Sequence, residues 1–574
     1  MKRRFAGTRS VAGLIVAFTV GGLFAGREAV VIAATHGSGD ATASSDDQAR
    51  GHAWWAHIEA LANDSMRGRQ TGSPDYLRAA AYVVKQFQSY GLTPAGVGGT
   101  YYQPVRFVEQ WVNAGKSSVA LVTDGKTEPL ALGTDAVLSA RSPQLPRVDA
   151  PLVFLGYGLH LPDSGYDDFN SAEVPLSSLR GKIIVVINGG PANLPGALKA
   201  FARTSPMAKA MADAGVVGII SIPTPKSMDF GWARIASSAS QPGMALAPGP
   251  GDAALALRHP ALADDHRPHF AATFNPAEAE KLFAGTGHTF AEMLALADAQ
   301  KPLPHFDLKK RLTATVSADR DAVVSPNIVA KLEGSDPAFR NQYVLVSAHL
   351  DHLGVGAPIK GKTIYNGAMD DASGVATVLE TAQALSEDAE KGVRPKRSVL
   401  FVIFTAEEKG LLGSRYFAGH PTVPERAIRA DLNLDMFMPL FALKKLHVQG
   451  LEQSTLGDDA RRVGAAHHIT IAGDPEPDRN SFIRTDQYSF VQAGVPALAM
   501  KFGWEPGSPE YHLWRNWLAE RYHSPQDDLN QPVDLPAAAQ FNAFFADLVR
   551  EVANDPATPH YLESSFFRRF EIGQ

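Results

Sequence analysis

Cysteine is absent from all 574 residues. That excludes a disulfide scaffold, thiolate metal sites, a cysteine nucleophile and an anchor through a lipidated cysteine. An excess of basic charge is also lacking. The chain has 54 Lys and Arg against 60 Asp and Glu, a net charge of −6, so it has no basic excess to serve a general nucleic-acid binder. There is no His-Glu-x-x-His, no Gly-x-Ser-x-Gly and no phosphate-binding glycine loop. Single-zinc, serine and nucleotide mechanisms therefore lack their usual marks. With 45% hydrophobic and 20% charged residues, the chain is neither disordered nor an integral membrane bundle.

The start of the chain has a character of its own. Lys2, Arg3, Arg4 and Arg9 precede an uncharged stretch over residues 10–26, and small residues follow at Ala29, Ala33 and Ala34. A basic head, an apolar run and a small-residue end predict a secretory signal peptide over residues 1–34, cleaved near Ala33 or Ala34. The apolar run is short for a span of about 20 residues, although a retained anchor is the alternative. The expected destination is the periplasm or the exterior, with no stable membrane insertion after signal removal. Residues 35–50 read as a small, polar linker.

At roughly 100–200 residues per domain, the length calls for two or three units. Residues 51–147 open with helical spacing: Trp54, Ile58 and Leu61, then Ala79, Tyr82, Val83 and Phe87. A turn-rich loop, residues 67–74, lies between them. Residues 148–305 form a loop-rich module of short apolar strands at 150–157, 182–187 and 216–222, with a helix at 208–214. Asn275-Pro276 predicts a helix start with proline in its first position, and Thr289 to Glu292 predicts a capping box. Residues 306–574 alternate near-continuous apolar strands (343–347, 398–404, 430–436, 495–500) with helices such as 373–385. That pattern predicts an α/β fold, a mixed central sheet with helices on both faces, joined to a β-rich insert.

The acids and histidines fall just after those strands. His349-Leu350-Asp351-His352 follows the first, Thr405-Ala406-Glu407-Glu408 the second, and Asp435 ends the third; Asp370-Asp371-Ala372-Ser373-Gly374 opens a helix and His523 lies in a loop. In open α/β sheets, the carboxyl ends of strands form the ligand crevice. Two histidines and three carboxylates suit a pair of Zn2+ ions that share one carboxylate and leave room for water. Two such ions hold a bridging hydroxide and polarise a peptide carbonyl. A further carboxylate must stay off the metals to move the proton. Each piece alone has an ordinary reading: His-x-Asp as a surface pair, Asp-Asp-Ala-Ser-Gly as a helix cap, Glu-Glu as a solvated face. Asp435 is less ordinary, because a charge ending an apolar strand is unfavourable unless paired or ligating.

Taken together, these segments resemble the bacterial co-catalytic dizinc aminopeptidases, the leucyl-aminopeptidase-like and glutamate-carboxypeptidase-like metallopeptidases. Gly68-Arg69-Gln70-Thr71-Gly72-Ser73 resembles their amino-terminal signature. The middle module resembles a protease-associated domain through Gly156-Tyr157-Gly158, Leu179-Arg180-Gly181-Lys182-Ile183 and Ala214-Gly215-Val216-Val217-Gly218-Ile219. The resemblance implies that Asp370 bridges two zinc ions, His349 and Asp435 complete one, and Glu408 and His523 complete the other. It makes Glu407 the general base and Asp351 the residue that orients His349. It implies a zinc exopeptidase fold, peptide substrates and a cis bond at Asp370-Asp371.

The same resemblance implies a secreted aminopeptidase, its alternatives being a carboxypeptidase or dipeptidase of the glutamate-carboxypeptidase type and a non-catalytic receptor-like homologue. Carboxyl-end cleavage needs basic residues for the substrate α-carboxylate, for which Arg484 is the sole candidate. A receptor-like chain should have lost ligands or base, and none is lost here. One segment, Phe482 to Phe490, departs from the family pattern by having Gln487 where His is common. Asp486 and Tyr488 are candidates for pocket or core. Trp504, His512, Trp514 and Trp517 are candidates for packing or a substrate rim. His467-His468 reads as surface, and His352 lies near the site without matching a ligand position.

Overall fold

The computed structural model describes residues 45–571, apart from 240, 251, 260, 263–267, 477, 478 and 480. The signal peptide expected over residues 1–34 and most of the linker lie outside the described residues. The described chain opens directly in the helix Ser45–Ala62, so the end of the expected linker is helical. No described helix is long and apolar enough to cross a membrane.

Among the described residues, a ten-stranded mixed sheet forms the first of two large sheets. Its centre is parallel: Ser398–Phe404 lies beside Tyr343–His349, then Ile428–Asn433, then Ala497–Phe502. Antiparallel strands flank it, Ala318–Leu332 and Tyr102–Val112 on one side and Lys445–Gln449 on the other.

Period-two alternation explains why both faces are covered. Val399, Phe401 and Ile403 enter one apolar layer, while Leu400, Val402 and Phe404 enter the opposite one. The first layer is closed by helices Ser45–Ala62, Pro74–Ser89, Ser373–Glu390 and Leu535–Asn554, through Trp54, Phe87, Leu379 and Phe541. The second is closed by Phe417 and Phe490. Each such burial contributes about 1.5–3 kcal/mol. Local chemistry starts the helices where the pattern requires. The Ser73 hydroxyl accepts from Tyr76 N at 3.1 Å with proline in the next position, and Asp534 accepts from Ala537 N at 2.9 Å.

The second sheet has eight strands among the described residues. Its parallel centre runs through Arg147–Leu155, Ile183–Ile187, Gly218–Ile222 and Ala271–Phe274. It extends past the 148–305 segment at both ends, because His305–Thr315 pairs with both Ser118–Thr123 and Arg147–Leu155. One strand leaves this module: Gly243–Leu246 pairs with Tyr102–Val112 of the first sheet. The capping box at Thr289 forms with both of its hydrogen bonds. The helix expected at Pro276 does not begin there. Asn275 turns its side chain back to accept from Ala277 N at 3.1 Å, residues 276–279 form a turn, and the helix is Glu280–Phe283.

Candidate active site

The carboxyl ends of the parallel strands bring the distant clusters together. His349 is the last residue of its strand, Glu407 and Glu408 follow Ser398–Phe404, and Asp435 follows Ile428–Asn433. Asp370 stands between two histidines. Its Oδ1 lies 3.2 Å from His349 Nε2 and its Oδ2 lies 3.2 Å from His523 Nε2. Glu408 Oε2 is 3.2 Å from the same His523 nitrogen, and Asp435 Oδ1 is 4.0 Å from His349 Nε2. All five expected ligands therefore converge on two groups joined by Asp370.

The donors fit zinc. Zinc bonds of about 2.0–2.1 Å in a tetrahedron place ligand atoms about 3.3 Å apart, close to the 3.2 Å contacts here. His349 Nε2 and Asp370 Oδ2 are buried without hydrogen-bond partners, as atoms that await a cation should be. His349 Nδ1 donates to the Asp351 carbonyl at 3.0 Å, which leaves Nε2 with its lone pair facing the site. The contact refines the expected role of Asp351. Its main chain orients His349, while its carboxylate accepts from Thr71 Oγ1 at 2.9 Å and from Glu407 N at 3.1 Å. Asp351 thus ties the histidine strand to the Glu407 turn.

Neighbouring glutamates have opposite electrostatics. Burial raises the Glu407 carboxyl well above its ordinary range, with Asp435 and Glu408 adding to it against His349. Burial also opposes ionisation of Glu408, yet His523 and His352 hold it well below that range. Opposite shifts on adjacent carboxyls, one made more basic and one held anionic, match a division between proton carrier and ligand. Glu407 Oε2 stands 3.9 Å from His349 Nε2.

Scaffolding residues hold the Asp370 turn. Arg69, from the amino-terminal signature, is fully buried and donates to four main-chain carbonyls: Leu61, Leu350, Asn366 and Gly367, at 2.6–2.9 Å. Asp527 accepts from Met369 N at 2.9 Å and Asp370 N at 3.0 Å. Asp371 accepts from Gly374 N and Met436 N, which draws the bridging turn to the Asp435 strand. Gly367 is needed at φ +64°, since a Cβ there would sit 2.1 Å from the Asp370 carbonyl. The Asp370–Asp371 peptide bond is cis, as the resemblance implies. The sequence reading missed Asp527, whose partners are backbone N–H groups that no side-chain spacing marks. It also set aside His352, which is buried with Nδ1 2.7 Å from Glu408 Oε1 and forms, with Asp370 and Glu408, a group able to hold a metal ion.

The site opens into a cavity of about 1470 Å³ between the two sheets, lined by Glu407, Glu408, Asp435 and His523. Gln487 does not line it. The residue is fully buried, its Oε1 accepts from Thr485 and its Nε2 donates to Phe482 O at 2.7 Å, so it folds its own loop. Tyr488 packs in an apolar cluster with Val491, Tyr561 and Phe567 and reaches the cavity wall. Asp486 is buried, and burial pushes its carboxyl up to about 7. Trp504 and Trp517 pack in the interior, while Trp514 lines the cavity with its ring 5.3 Å from that of Trp504. His467 is held by Asp547 at 2.8 Å, and His468 is exposed.

A mixed α/β sheet whose parallel strands end in two histidine–carboxylate groups with a shared aspartate defines an α/β protein with a candidate metal centre. Residues 327–549 match the family model Peptidase family M28. The chain is similar to the probable leucine aminopeptidase 2 of Aspergillus oryzae, 37% identical over 20% of this chain and 21% of that protein. It is similar to carboxypeptidase Q of Xenopus laevis, 36% identical over 31% of this chain and 33% of that protein. Matches such as these span about a fifth to a third of the relatives' own lengths. Among solved structures, the aminopeptidase from Aneurinibacillus sp. strain AM-1 aligns over 88% of this chain and 95% of its own, at 20% identity and a TM-score of 0.49.

Proposed function

We propose that this chain is an exported zinc exopeptidase that holds two Zn2+ ions and removes the N-terminal residue of peptides. The observation that carries the reading is the pair of donor groups sharing Asp370, with Glu407 beside them at a cavity. His349, Asp370 and Asp435 would hold one ion, and Asp370, Glu408 and His523 the other. When bound, such a pair supplies Lewis acidity toward a scissile carbonyl and lowers the pKa of water. Glu407 takes the proton of the attacking water at its carboxylate and delivers it to the leaving amine, a transfer its raised pKa favours. The amino-terminal preference draws on relatives named as leucine aminopeptidases. Export rests on the basic and apolar start of the chain, and we read the second-sheet module as a protease-associated domain flanking the cleft.

A second reading has its own observation. Arg484, a cavity residue with its side chain 46% exposed, shares the Asp229 carboxylate with Arg479. Arg479 also meets Glu476 at 3.6 Å, so Arg484 holds only a shared carboxylate and keeps guanidinium donors exposed, which suits the α-carboxylate of a carboxypeptidase substrate. Relatives named carboxypeptidase Q agree with it. The test is residue release from one peptide with a free N-terminus and the same peptide N-acetylated, with zinc present. Release from the N-terminus of the free peptide alone supports the first reading. Cleavage of the acetylated peptide from its C-terminus replaces it with the second, and no cleavage of either sinks both.

A further inference from the structure

The loop that carries His523 is gripped by a segment from the second-sheet module. Arg234, in the short helix Trp232–Ser238, donates to Tyr522 O at 2.7 Å and Ala519 O at 2.8 Å, with longer contacts to Leu518 O and Glu520 O at 3.5 Å. Leu518, Ala519 and Glu520 lie in the last turn of the helix Pro509–Glu520, where carbonyls find no partner within the helix, and Tyr522 lies two residues past its end. A cation there also faces the negative end of the helix dipole. The Arg234 guanidinium lies 5.1 Å over the Phe230 ring, and Phe230 in turn packs on Tyr522 and His523, at 6.0 and 6.2 Å between ring centroids. Asp229, the residue before, accepts from Arg484 and Arg479 of the peptidase segment.

The grip matters because His523 differs from His349. His349 ends a core strand and is 1% exposed, whereas the side chain of His523 is 24% exposed in a loop, at φ +51°. A non-glycine residue in the left-handed region is held there only by its surroundings. Those surroundings are the Asp370 and Glu408 carboxylates at 3.2 Å, the Tyr522 ring at 3.9 Å between centroids, the His352 ring at 6.0 Å and the module's Phe230.

We propose that Phe230 and Arg234 are positioning residues through which the second-sheet module fixes His523 for the second metal, so that docking of the module and occupancy of that metal are coupled. The proposal rests on the reading that His523 is a metal ligand.

The experiment is zinc titration of the full chain against a competing chelator, for the unsubstituted protein, Phe230→Ala, Arg234→Gln, Arg234→Lys and His523→Ala. Thermal melting is followed in parallel. Two zinc-binding steps are expected, with His523→Ala identifying the one that depends on the histidine. Phe230→Ala and Arg234→Gln should weaken that step about 10- to 100-fold and leave the other within about threefold, the range for partners that orient metal ligands. Arg234→Lys keeps the charge without the fork and should fall between. Unchanged binding in both Phe230→Ala and Arg234→Gln overturns the proposal. So does equal weakening of both steps with a lowered melting temperature, which is general destabilisation. If His523→Ala itself binds zinc like the parent, the ligand assignment fails and the clamp falls with it.

Discussion

The two halves of the candidate site are built differently. His349 and Asp435 stand at the ends of adjacent parallel strands whose side chains fill both apolar layers. His349 takes its ring orientation from a carbonyl two residues away. On the other side, Glu408 meets His523, which arrives on a loop after the helix Pro509–Glu520 and is packed by a residue from the second-sheet module. The sheet half is placed by paired core strands, while the loop half depends on contacts between a loop and the second-sheet module. Variation in metal affinity should therefore concentrate on the loop half.

The sharpest break in that comparison is expected between the adjacent glutamates. Glu407→Gln should lower kcat about 10²- to 10⁴-fold, the usual worth of a general acid–base group, and leave both zinc-binding steps in place. Glu408→Gln should lose the loop-half zinc as well as turnover. Paired kinetic and zinc-content measurements on the two variants check this. If Glu407→Gln also loses zinc, or keeps its rate, the division of labour between them is wrong.

The sheet half was the more legible part of the sequence, and for a physical reason. Apolar strands announce themselves, so a polar residue at their ends stands out. His349, Glu407, Glu408 and Asp435 stand out on that ground, Asp370 at a helix start and His523 in a loop complete the donor set, and the family resemblance supplies the role of each. Arg69 could be seen in a motif, but its task could not, because its four partners are carbonyls that every residue carries. Gln487 drew attention as a departure from pattern, yet it turns inward to its own loop. Asp229, Phe230 and Arg234 sit in a stretch dense in proline and glycine, where no periodicity marks a contact nearly 300 positions away.

The sheet half carries its own liability in Asp431, a fully buried carboxyl on the strand that leads to Asp435. Its Oδ1 accepts from Ser347 Oγ at 2.7 Å, and burial pushes its pKa up to about 8. The folded protein thus keeps a proton that the unfolded chain, with a pKa near 3.9, has released. Unfolding therefore releases a proton between about pH 4 and 8, and stability falls as pH rises through that window, by up to about 1.4 kcal/mol per pH unit. Asp431→Asn keeps an acceptor for Ser347 without the charge. Urea unfolding at pH 6, 7 and 8 should show the variant gaining on the parent by about that slope. Parallel pH dependences in the two proteins would show that Asp431 ionises freely in the fold.

His352 gives the smallest and most discriminating test, because it belongs to the loop half yet does not depend on the second-sheet module. Its Nδ1 sits 2.7 Å from Glu408 Oε1, whereas His523 Nε2 faces Oε2 of the same carboxylate at 3.2 Å. The two oxygens of Glu408 thus face different histidine rings, and the close His352 ring limits how the carboxylate can turn, although His352 Nδ1 and Glu408 Oε1 form no hydrogen bond. Asparagine is shorter than the ring and packs less closely on Glu408, so His352→Asn should weaken the loop-half zinc by about tenfold and leave the sheet-half zinc untouched. His352→Ala, which leaves more space beside the carboxylate, should weaken it further. The ranking is read by chelator competition. Because the His352 ring also lies 6.0 Å from that of His523, a double variant with Arg234→Gln shares a partner and its combined effect should depart from the sum of the two. Full additivity would show instead that the two residues are separate braces, whereas the departure marks the loop half as a single mechanical unit built on the Glu408–His523 pair.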